Sequence, residues 1–296
     1  MDYLNGIYER IMVKIQFVRL CFLGGLIACS PKTASHESAE TKTETYQLVW
    51  SDEFDTDGPP NPQNWTYERG FTRNEELQWY QEDNAFVKDG MLIIEGRRET
   101  RPNPDYQADS NDWRTNRPEI NYTSSCVTTQ GRHQWRYGRF EIKARIKTEA
   151  GLWPAIWTLG LGHEWPVNGE IDIMEFYGGN ILANAAWAAA GRWQAVWDDL
   201  RKPVNSFNDP DWDDRFHIWR MDWTEAAIKI YLDDELLNTI DLEETINQRG
   251  AVKNPFRETE HYLLLNLAIG GKNGGDPSGT AFPTRYEIDY VRVYQQ

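Results

Sequence analysis

Apolar and polar residues alternate in short runs along most of this chain, and a new run starts about every ten to fifteen residues. The runs are separated by Gly, Pro, Asn and Asp, which favour turns. No long amphipathic helical pattern occurs, and only two short helices are predicted, near 74–80 and 242–248. This spacing predicts an all-β sandwich. The predicted strands cover 47–50, 85–94, 137–146, 181–187, 216–223, 228–232, 262–269 and 286–294.

The first thirty residues have a different pattern. Lys14 and Arg19 accompany an apolar run over 17–28, which is too short to span a bilayer and is typical of a secretory signal. The run ends in Leu-Ile-Ala-Cys, which resembles a bacterial lipobox, where the signal is cut before the cysteine and the thiol is acylated. Cys29 is then the lipidated residue. The alternative is that Cys29 is simply a small residue at an ordinary cleavage site.

These features divide the chain into three parts. Residues 1–28 are predicted to be a lipoprotein signal peptide. Residues 29–45 comprise the lipidated cysteine and a disordered tether, because this segment is rich in Ser, Thr, Glu and Lys and has no large apolar residue to bury. Residues 46–296 show no internal repeat or linker and form one domain. The predicted location is the bacterial cell envelope, at the outer membrane or cell surface or on the periplasmic face.

Cysteine usage predicts a domain without a disulfide. Cys21 would leave with the signal and Cys29 would carry lipid, so Cys126 remains as the single thiol. Cys126 lies in a β-rich run, where a buried, unreactive thiol is far commoner than a catalytic one.

Charge and histidine spacing exclude several functions. The formal net charge of −15 disfavours nucleic acid and heavily sulfated glycans as partners, whereas a neutral glycan fits. The five histidines show no ligand spacing, so neither a catalytic metal nor another catalytic cofactor is expected. The only membrane contact expected is through the lipid anchor, and the domain is expected to be monomeric.

The segment 169–176 carries three carboxylates within an apolar, β-branched run and is predicted to be a buried strand. Side chains alternate along a strand, so Glu170 and Asp172 share a face and Glu175 points the other way. A β-bulge at 173–174 would bring Glu175 back beside the other two. Three acids on one face of a cleft indicate shifted pKa values and catalysis. A calcium site and a solvated edge strand are the alternatives. Calcium usually takes its ligands from a flexible loop with carbonyls and Asn or Asp nearby, and an edge strand would not need apolar residues between its acids.

The hexapeptide Glu-Ile-Asp-Ile-Met-Glu resembles the catalytic signature of family 16 glycoside hydrolases, in the bulged form of laminarinases and their relatives. The resemblance implies a β-sandwich jelly roll of two curved antiparallel sheets with an open concave glycan-binding groove. It also implies a retaining mechanism in which Glu170 is the nucleophile, Glu175 the general acid and then base, and Asp172 the residue that steadies the nucleophile. The resemblance begins near residue 46 and includes the segments 48–54, 122–124, 151–157, 265–271 and 289–294.

Aromatic residues are expected to bind the sugar rings. The chain has 14 tryptophans, more than a core of this size needs, so several should be partly exposed. Trp153 and Trp157 lie in a segment that resembles the sugar-contacting Trp-Pro-Ala-x-Trp of the family, and Asn74 is expected to be a polar residue of the groove. The weaker candidates are Trp135, Trp187, Trp193 and Trp197.

The resemblance leaves the substrate open between two nearly equal choices. One is an endo-β-1,3-glucanase of laminarinase type, and the other is an endo-β-1,4-galactosidase that cuts galactose-containing host O-glycan or keratan chains. Two departures from the family pattern make the second a serious rival: Trp187 stands roughly where laminarinases carry a substrate-contacting histidine, and Cys126 stands where arginine is common. A non-catalytic glycan-binding lipoprotein is the alternative from another class, but a lectin has no use for Glu175.

The resemblance further implies a structural calcium ion held by Glu53, the Gly90 carbonyl and Asp289 on the convex side, far from the groove. The alternative is that the two acids are ordinary surface residues. Two long segments, 101–122 and 192–214, are expected to be loops that build over the groove rim.

Overall fold

A computed structural model describes residues 45–296 of the chain. The predicted signal peptide, Cys29 and nearly all of the predicted tether lie outside the described residues. Within residues 45–296, no helix has both the length and the apolar character needed to cross a membrane.

β-strands are the dominant regular elements of the described residues. The helices α1 (Pro255–Glu258) and α2 (Gly271–Gly274) are single turns, and 3₁₀ turns occur at Glu82–Asn84, Val204–Phe207 and Trp212–Asp214. In chain order the strands are β1 (Gln47–Asp52), β2 (Thr66–Tyr67), β3 (Gln78–Tyr80), β4 (Ala85–Lys88), β5 (Met91–Pro102), β6 (Glu119–Ser124), β7 (Cys126–Thr128), β8 (Gly138–Arg145), β9 (Leu152–Gly160), β10 (Glu170–Tyr177), β11 (Asn180–Ala188), β12 (Ala195–Pro203), β13 (His217–Trp223), β14 (Ala227–Leu232), β15 (Glu235–Asp241), β16 (His261–Ile269) and β17 (Thr284–Gln295).

The strands form two sheets. The seven-stranded sheet has the order β12-β11-β10-β9-β16-β7-β2, and all of its neighbours are antiparallel. The ten-stranded sheet has the order β15-β14-β13-β8-β17-β5-β6-β3, with β1 beside β17 and β4 beside β5. Only the pairing of β3 with β6 in this sheet is parallel. The predicted β-sandwich jelly roll is therefore confirmed.

The core lies between the two sheets and follows from strand alternation. Along β8 and β13 every second side chain is buried, including Phe140, Ile142, Trp219 and Trp223. Burial of each such aliphatic or phenyl side chain contributes about 1.5–3 kcal/mol. In contrast, β9 and β16 are buried along nearly their whole length, because one face of these strands meets the core between the sheets and the other lies at the bottom of a groove, where Trp153 and Trp157 remain only 6% and 7% exposed. This sheet is therefore a rigid base for the groove on its other face.

Both predicted helices are wrong. In 74–80, Asn74 and Glu75 have left-handed backbone conformations, with φ of 55° and 54°, and the chain then enters β3. Segment 242–248 is a turn followed by irregular chain. Short apolar windows do not distinguish a helix from a strand or a turn, and here tertiary pairing decides the outcome.

The predicted loop over 192–214 is also wrong in its central part. Residues 195–203 form β12, which pairs with β11 over nine residue pairs and extends the seven-stranded sheet at its edge. This strand was not predicted because it carries several charged residues and, as an edge strand that is half-exposed on both faces, has no clearly apolar face. The predicted loop at 101–122 is confirmed over 103–118. Its Arg114 and Arg117 donate hydrogen bonds to the backbone carbonyls of residues 72, 75 and 76.

Candidate active site

A β-bulge brings the three acids of β10 onto one face. The register of β10 with β11 shifts between Asp172 and Glu175, and its register with β9 shifts between Asp172 and Met174. Ile173 and Met174 are both fully buried in the core between the sheets, so the extra residue lies at the predicted position. Glu170, Asp172 and Glu175 consequently line one groove.

An indole N–H holds each of the two glutamates. Trp165 Nε1 donates to Glu170 Oε2 over 2.9 Å, and Trp153 Nε1 donates to Glu175 Oε1 over 2.7 Å. Asn184 Nδ2 lies 3.4 Å from the other oxygen of Glu175, and the Asn184 Oδ1 accepts the backbone N–H of Leu200. These donors fix the orientation of both carboxyl groups before substrate binds.

Burial in the groove raises the pKa values of Glu170 and Glu175. Burial raises the pKa of Glu170 to about 7, opposed by the hydrogen bond from Trp165 and the positive charge of Arg73. Burial also raises the pKa of Glu175 to about 7, and the negative charges of Glu170 and Glu76 act in the same direction. Near neutral pH the pair therefore shares a proton, which is the state that acid catalysis by one carboxyl and nucleophilic attack by the other require.

Asp172 is the most buried of the three acids. Burial raises the pKa of Asp172 well above its usual range, and the charges of Glu175 and Glu170 raise it further. Its side chain is 2% exposed and interacts with Asn184 and Glu170, while Oδ2 itself has no hydrogen-bond partner. Burial and the two neighbouring glutamates therefore favour the neutral form of this carboxyl over the charged one.

Buried hydrogen bonds support the side of the groove that Trp157, Asn266 and Glu76 line. Trp157 Nε1 donates to Asn266 Oδ1 over 2.7 Å, and Asn266 Nδ2 donates to the Tyr80 hydroxyl over 3.0 Å. Glu76, which is 2% exposed, accepts a 2.6 Å hydrogen bond from Gln78 Nε2. These buried hydrogen bonds restrict the motion of the side chains on this side of the groove.

A cation covers one of the predicted sugar-binding rings. The Arg73 guanidinium lies 4.8 Å from the centre of the Trp157 ring and forms an ion pair with Glu68. Trp157 lines the groove as predicted, but Arg73 occupies one of its faces. Trp153 and Asn74 also line the groove.

The groove has a volume of about 630 Å³ and includes residues that sequence reasoning missed. Asn184 and Asn266 had a readable signal, since each interrupts an otherwise apolar strand, whereas Trp165 lies in a connection with no pattern to identify it. The missed lining residues are Arg73, Glu76, Leu159, Trp165, Tyr177, Asn184, Asp199, Arg201, Asn266 and Asn273.

Two predicted sugar-binding tryptophans are corrected by the structure. Trp187 is buried in the core between the sheets, because on β11 it has the opposite parity to Asn184, which faces the groove. Trp135 is also a core residue, and its ring lies 5.2 Å from that of Trp50 and 5.6 Å from that of Phe140. Neither residue lines the groove.

Cys126 is a core residue. Its side chain is fully buried in a cluster with Tyr80 and Trp157, and burial raises its thiol pKa well above the usual range. The thiol is therefore protonated and unreactive, and among the described residues it is the free cysteine.

The residues predicted to hold calcium are engaged otherwise. Glu53 accepts two hydrogen bonds from Arg292, at 2.9 and 2.8 Å, and Asp289 forms a 2.6 Å ion pair with Lys143. Within residues 45–296, no group of three or more His, Cys, Asp or Glu side chains is placed to hold a metal ion. Both carboxylates are thus paired with basic side chains of the protein, and the calcium site stays a prediction.

Comparison with known proteins agrees with this geometry. The model of the Glycosyl hydrolases family 16 matches residues 74–292. A β-glucanase of Rhodothermus marinus is 35% identical over 289 residues, which cover 92% of this chain and 92% of that protein. The chain therefore spans nearly the full length of that relative.

Two solved structures are similar throughout the domain. One comes from work on endo-acting O-glycanases with which prominent members of the human gut microbiota initiate mucin breakdown; it has a TM-score of 0.76 and 34% identity, covering 86% of this chain and 92% of that one. The other is the laminarinase catalytic domain of Thermotoga maritima, with a TM-score of 0.70 and 33% identity, covering 86% and 99%. The chain therefore belongs to the Glycosyl hydrolases family 16.

Proposed function

We propose that this enzyme cuts internal β-linkages of a neutral glycan by a retaining double displacement. The observation that carries the proposal is the bulge of β10, which places Glu170, Asp172 and Glu175 in one groove with an indole donor on each glutamate. Two carboxylates close together on one sugar give retention through a covalent intermediate.

In the first step Glu170 attacks the anomeric carbon while Glu175 gives its proton to the departing glycosidic oxygen. The bond between the anomeric carbon and that oxygen breaks, and an ester forms between the sugar and Glu170. Asp172 supports the attack because its hydrogen bond disperses the charge of the Glu170 carboxylate.

In the second step Glu175 acts as the base. Esterification removes the charge of Glu170, which is one cause of the raised pKa of Glu175, so that pKa falls and Glu175 accepts a proton from water. The water oxygen attacks the anomeric carbon, the ester bond breaks, and Glu170 leaves as carboxylate. A sugar hydroxyl can take the place of water, which gives transglycosylation.

The substrate we favour is β-1,3-glucan, the substrate class of laminarinases, because the similarity to the T. maritima laminarinase catalytic domain covers 86% of this chain and 99% of that one. Galactose-containing host O-glycan or keratan chains are the second candidate. The supporting observation is the similarity to the structure from the O-glycanase study, with a TM-score of 0.76 and 34% identity.

We expect the soluble domain to release oligosaccharides first, because the groove is lined along its length and admits the middle of a chain. The test incubates residues 46–296 with laminarin, mixed-linkage glucan, agarose, keratan and mucin glycans and sizes the products over time, with Glu170→Gln as inactive control. Early oligosaccharides from laminarin support the first candidate, and from keratan or mucin the second. Monosaccharide as the sole early product would contradict internal cleavage.

We further propose that the enzyme is anchored to the bacterial envelope through lipid on Cys29, with calcium and the monomeric state remaining open predictions. The supporting observation is the apolar run that ends at this cysteine. Wild-type chain expressed in a diderm bacterium is expected in the membrane fraction and labelled by an alkyne fatty acid. Cys29→Ala should lose the label, with Cys126→Ala as the matched control that keeps it. Equal distribution of wild type and Cys29→Ala would refute the anchor.

A further inference from the structure

The edge strand β12 contributes side chains to the groove at a distance from the catalytic triad. Trp197 and Asp199 alternate with Asp198 along β12, and Asp198 accepts a 2.9 Å hydrogen bond from Asn238 of the other sheet. Side chains alternate along a strand, so Trp197, Asp199 and Arg201 point away from that sheet. All three line the groove.

The pairing register fixes where these residues lie relative to the triad. Glu170 pairs with Ala186, and Ala186 pairs with Trp197. Trp197 is therefore two strands away from Glu170 in the same row, about 10 Å at the usual strand spacing. A glycan that crosses the strands through Glu170 would reach Trp197 after a few sugar rings.

The Trp197 indole is unusually exposed. It is 44% exposed, whereas Trp219 and Trp223 are 0% and 1% exposed. An exposed indole in a groove offers a flat apolar face and an N–H donor. Its backbone is held by the pairing of β12 with β11, and Asn238 Nδ2 donates to the Ala183 carbonyl of β11 at 3.0 Å. The ring is thus presented on a supported strand rather than on a free loop.

We propose that Trp197 is the stacking platform of an outer subsite for a pyranose ring, with Asp199 and Arg201 as hydrogen-bonding partners for its hydroxyl groups. Asp199 and Arg201 are 56% and 59% exposed, and Arg201 Nε lies 3.9 Å from Asp199 Oδ2. Their polar atoms therefore remain available to a ligand. This inference rests on the proposed function and adds a length requirement to it: only a glycan long enough to reach from Glu170 to β12 uses the platform.

The test measures kcat/KM on a series of oligosaccharides of increasing length from the glycan that the enzyme cleaves. Trp197→Ala should lose about tenfold in kcat/KM on long substrates and nothing on the shortest substrate cleaved. Trp197→Phe, which keeps an aromatic face, should recover most of the loss. Trp193→Ala is the matched control, because Trp193 is 55% exposed but stacks against Arg192 and does not line the groove.

Two results would overturn the inference: an unchanged length profile of Trp197→Ala, or an equal loss at every length together with a lower Tm, which would indicate a structural role. Failure of the proposed function gives a different result, namely a wild type that cleaves no glycan. The platform is then tested by calorimetry in the Glu170→Gln background, which cannot turn over. About tenfold weaker binding of long oligosaccharides by the Trp197→Ala form supports it, and equal binding refutes it.

Discussion

Replacing Glu170 with Ala is expected to reduce turnover of the natural glycan by at least about 10⁴-fold, because the carboxylate that attacks the anomeric carbon is removed. Glu170 is half-buried in the groove, and the smaller side chain leaves space rather than strain. The measurement is the initial rate of product release, with Glu243→Gln, at an exposed turn position, as the control. Near-normal turnover by Glu170→Ala would refute the nucleophile.

Azide distinguishes the loss of a nucleophile from general damage to the site. In Glu170→Ala the space left by the carboxylate admits azide, which attacks an activated aryl glycoside from the same face. The bond to the aryl group breaks once, so the glycosyl azide has inverted configuration, whereas the wild type retains it. Rescue that yields a product of retained configuration would contradict the assignment of Glu170.

The grouping of the three acids was predictable because carboxylates within a β-branched run are unusual and because strand parity makes a bulge necessary. The structure has the bulge at the predicted position, between Asp172 and Glu175. Parity also explains an error. The apolar stretch of β11 does not reveal which of its faces meets the core, so Trp187 was assigned to the groove, while Asn184 on the opposite face contacts Glu175.

Other parts of the site depend on tertiary contacts that no local pattern encodes. Trp165 reaches Glu170 from an irregular connection, and Arg73 and Glu76 line the groove because the loop at 103–118 holds their segment by hydrogen bonds. Strand β12 was not predicted because its charged residues, at 198, 199, 201 and 202, resemble a solvated loop. Each of these features becomes visible only when the seven-stranded sheet is assembled.

Replacing Glu175 with Gln is expected to reduce turnover of unactivated glycan by about 10³-fold, because the leaving oxygen then departs without a proton. An aryl glycoside with a good leaving group needs no proton, so its first step should stay fast. In the wild type kcat/KM should fall on the acid side as Glu170 gains a proton and on the alkaline side as Glu175 loses one, both near pH 7. Glu175→Gln should lose the alkaline limb on the unactivated glycan, because its amide has no proton to lose.

Stability provides an independent readout of the same proton. A carboxyl whose pKa rises from 4.5 in the unfolded chain to about 7 in the folded domain binds its proton more tightly when folded. Its contribution to stability is complete below pH 4.5 and is lost as the pH rises through 7. Since Gln has no proton to lose, Glu175→Gln should have a higher Tm than wild type at pH 8 and a similar Tm at pH 4.

The combination of a lower rate and a higher Tm at pH 8 separates a catalytic role from a structural one. Replacing a residue that merely supports the fold would lower activity and stability together. A buried acid that serves catalysis instead destabilises the folded domain once it ionises, so its replacement lowers activity but raises stability. Trp153 donates to the Glu175 carboxyl at 2.7 Å and offsets only part of that cost. Near-normal turnover of Glu175→Gln on unactivated glycan, or an alkaline limb that persists in this variant on the same glycan, would show that another group supplies the proton.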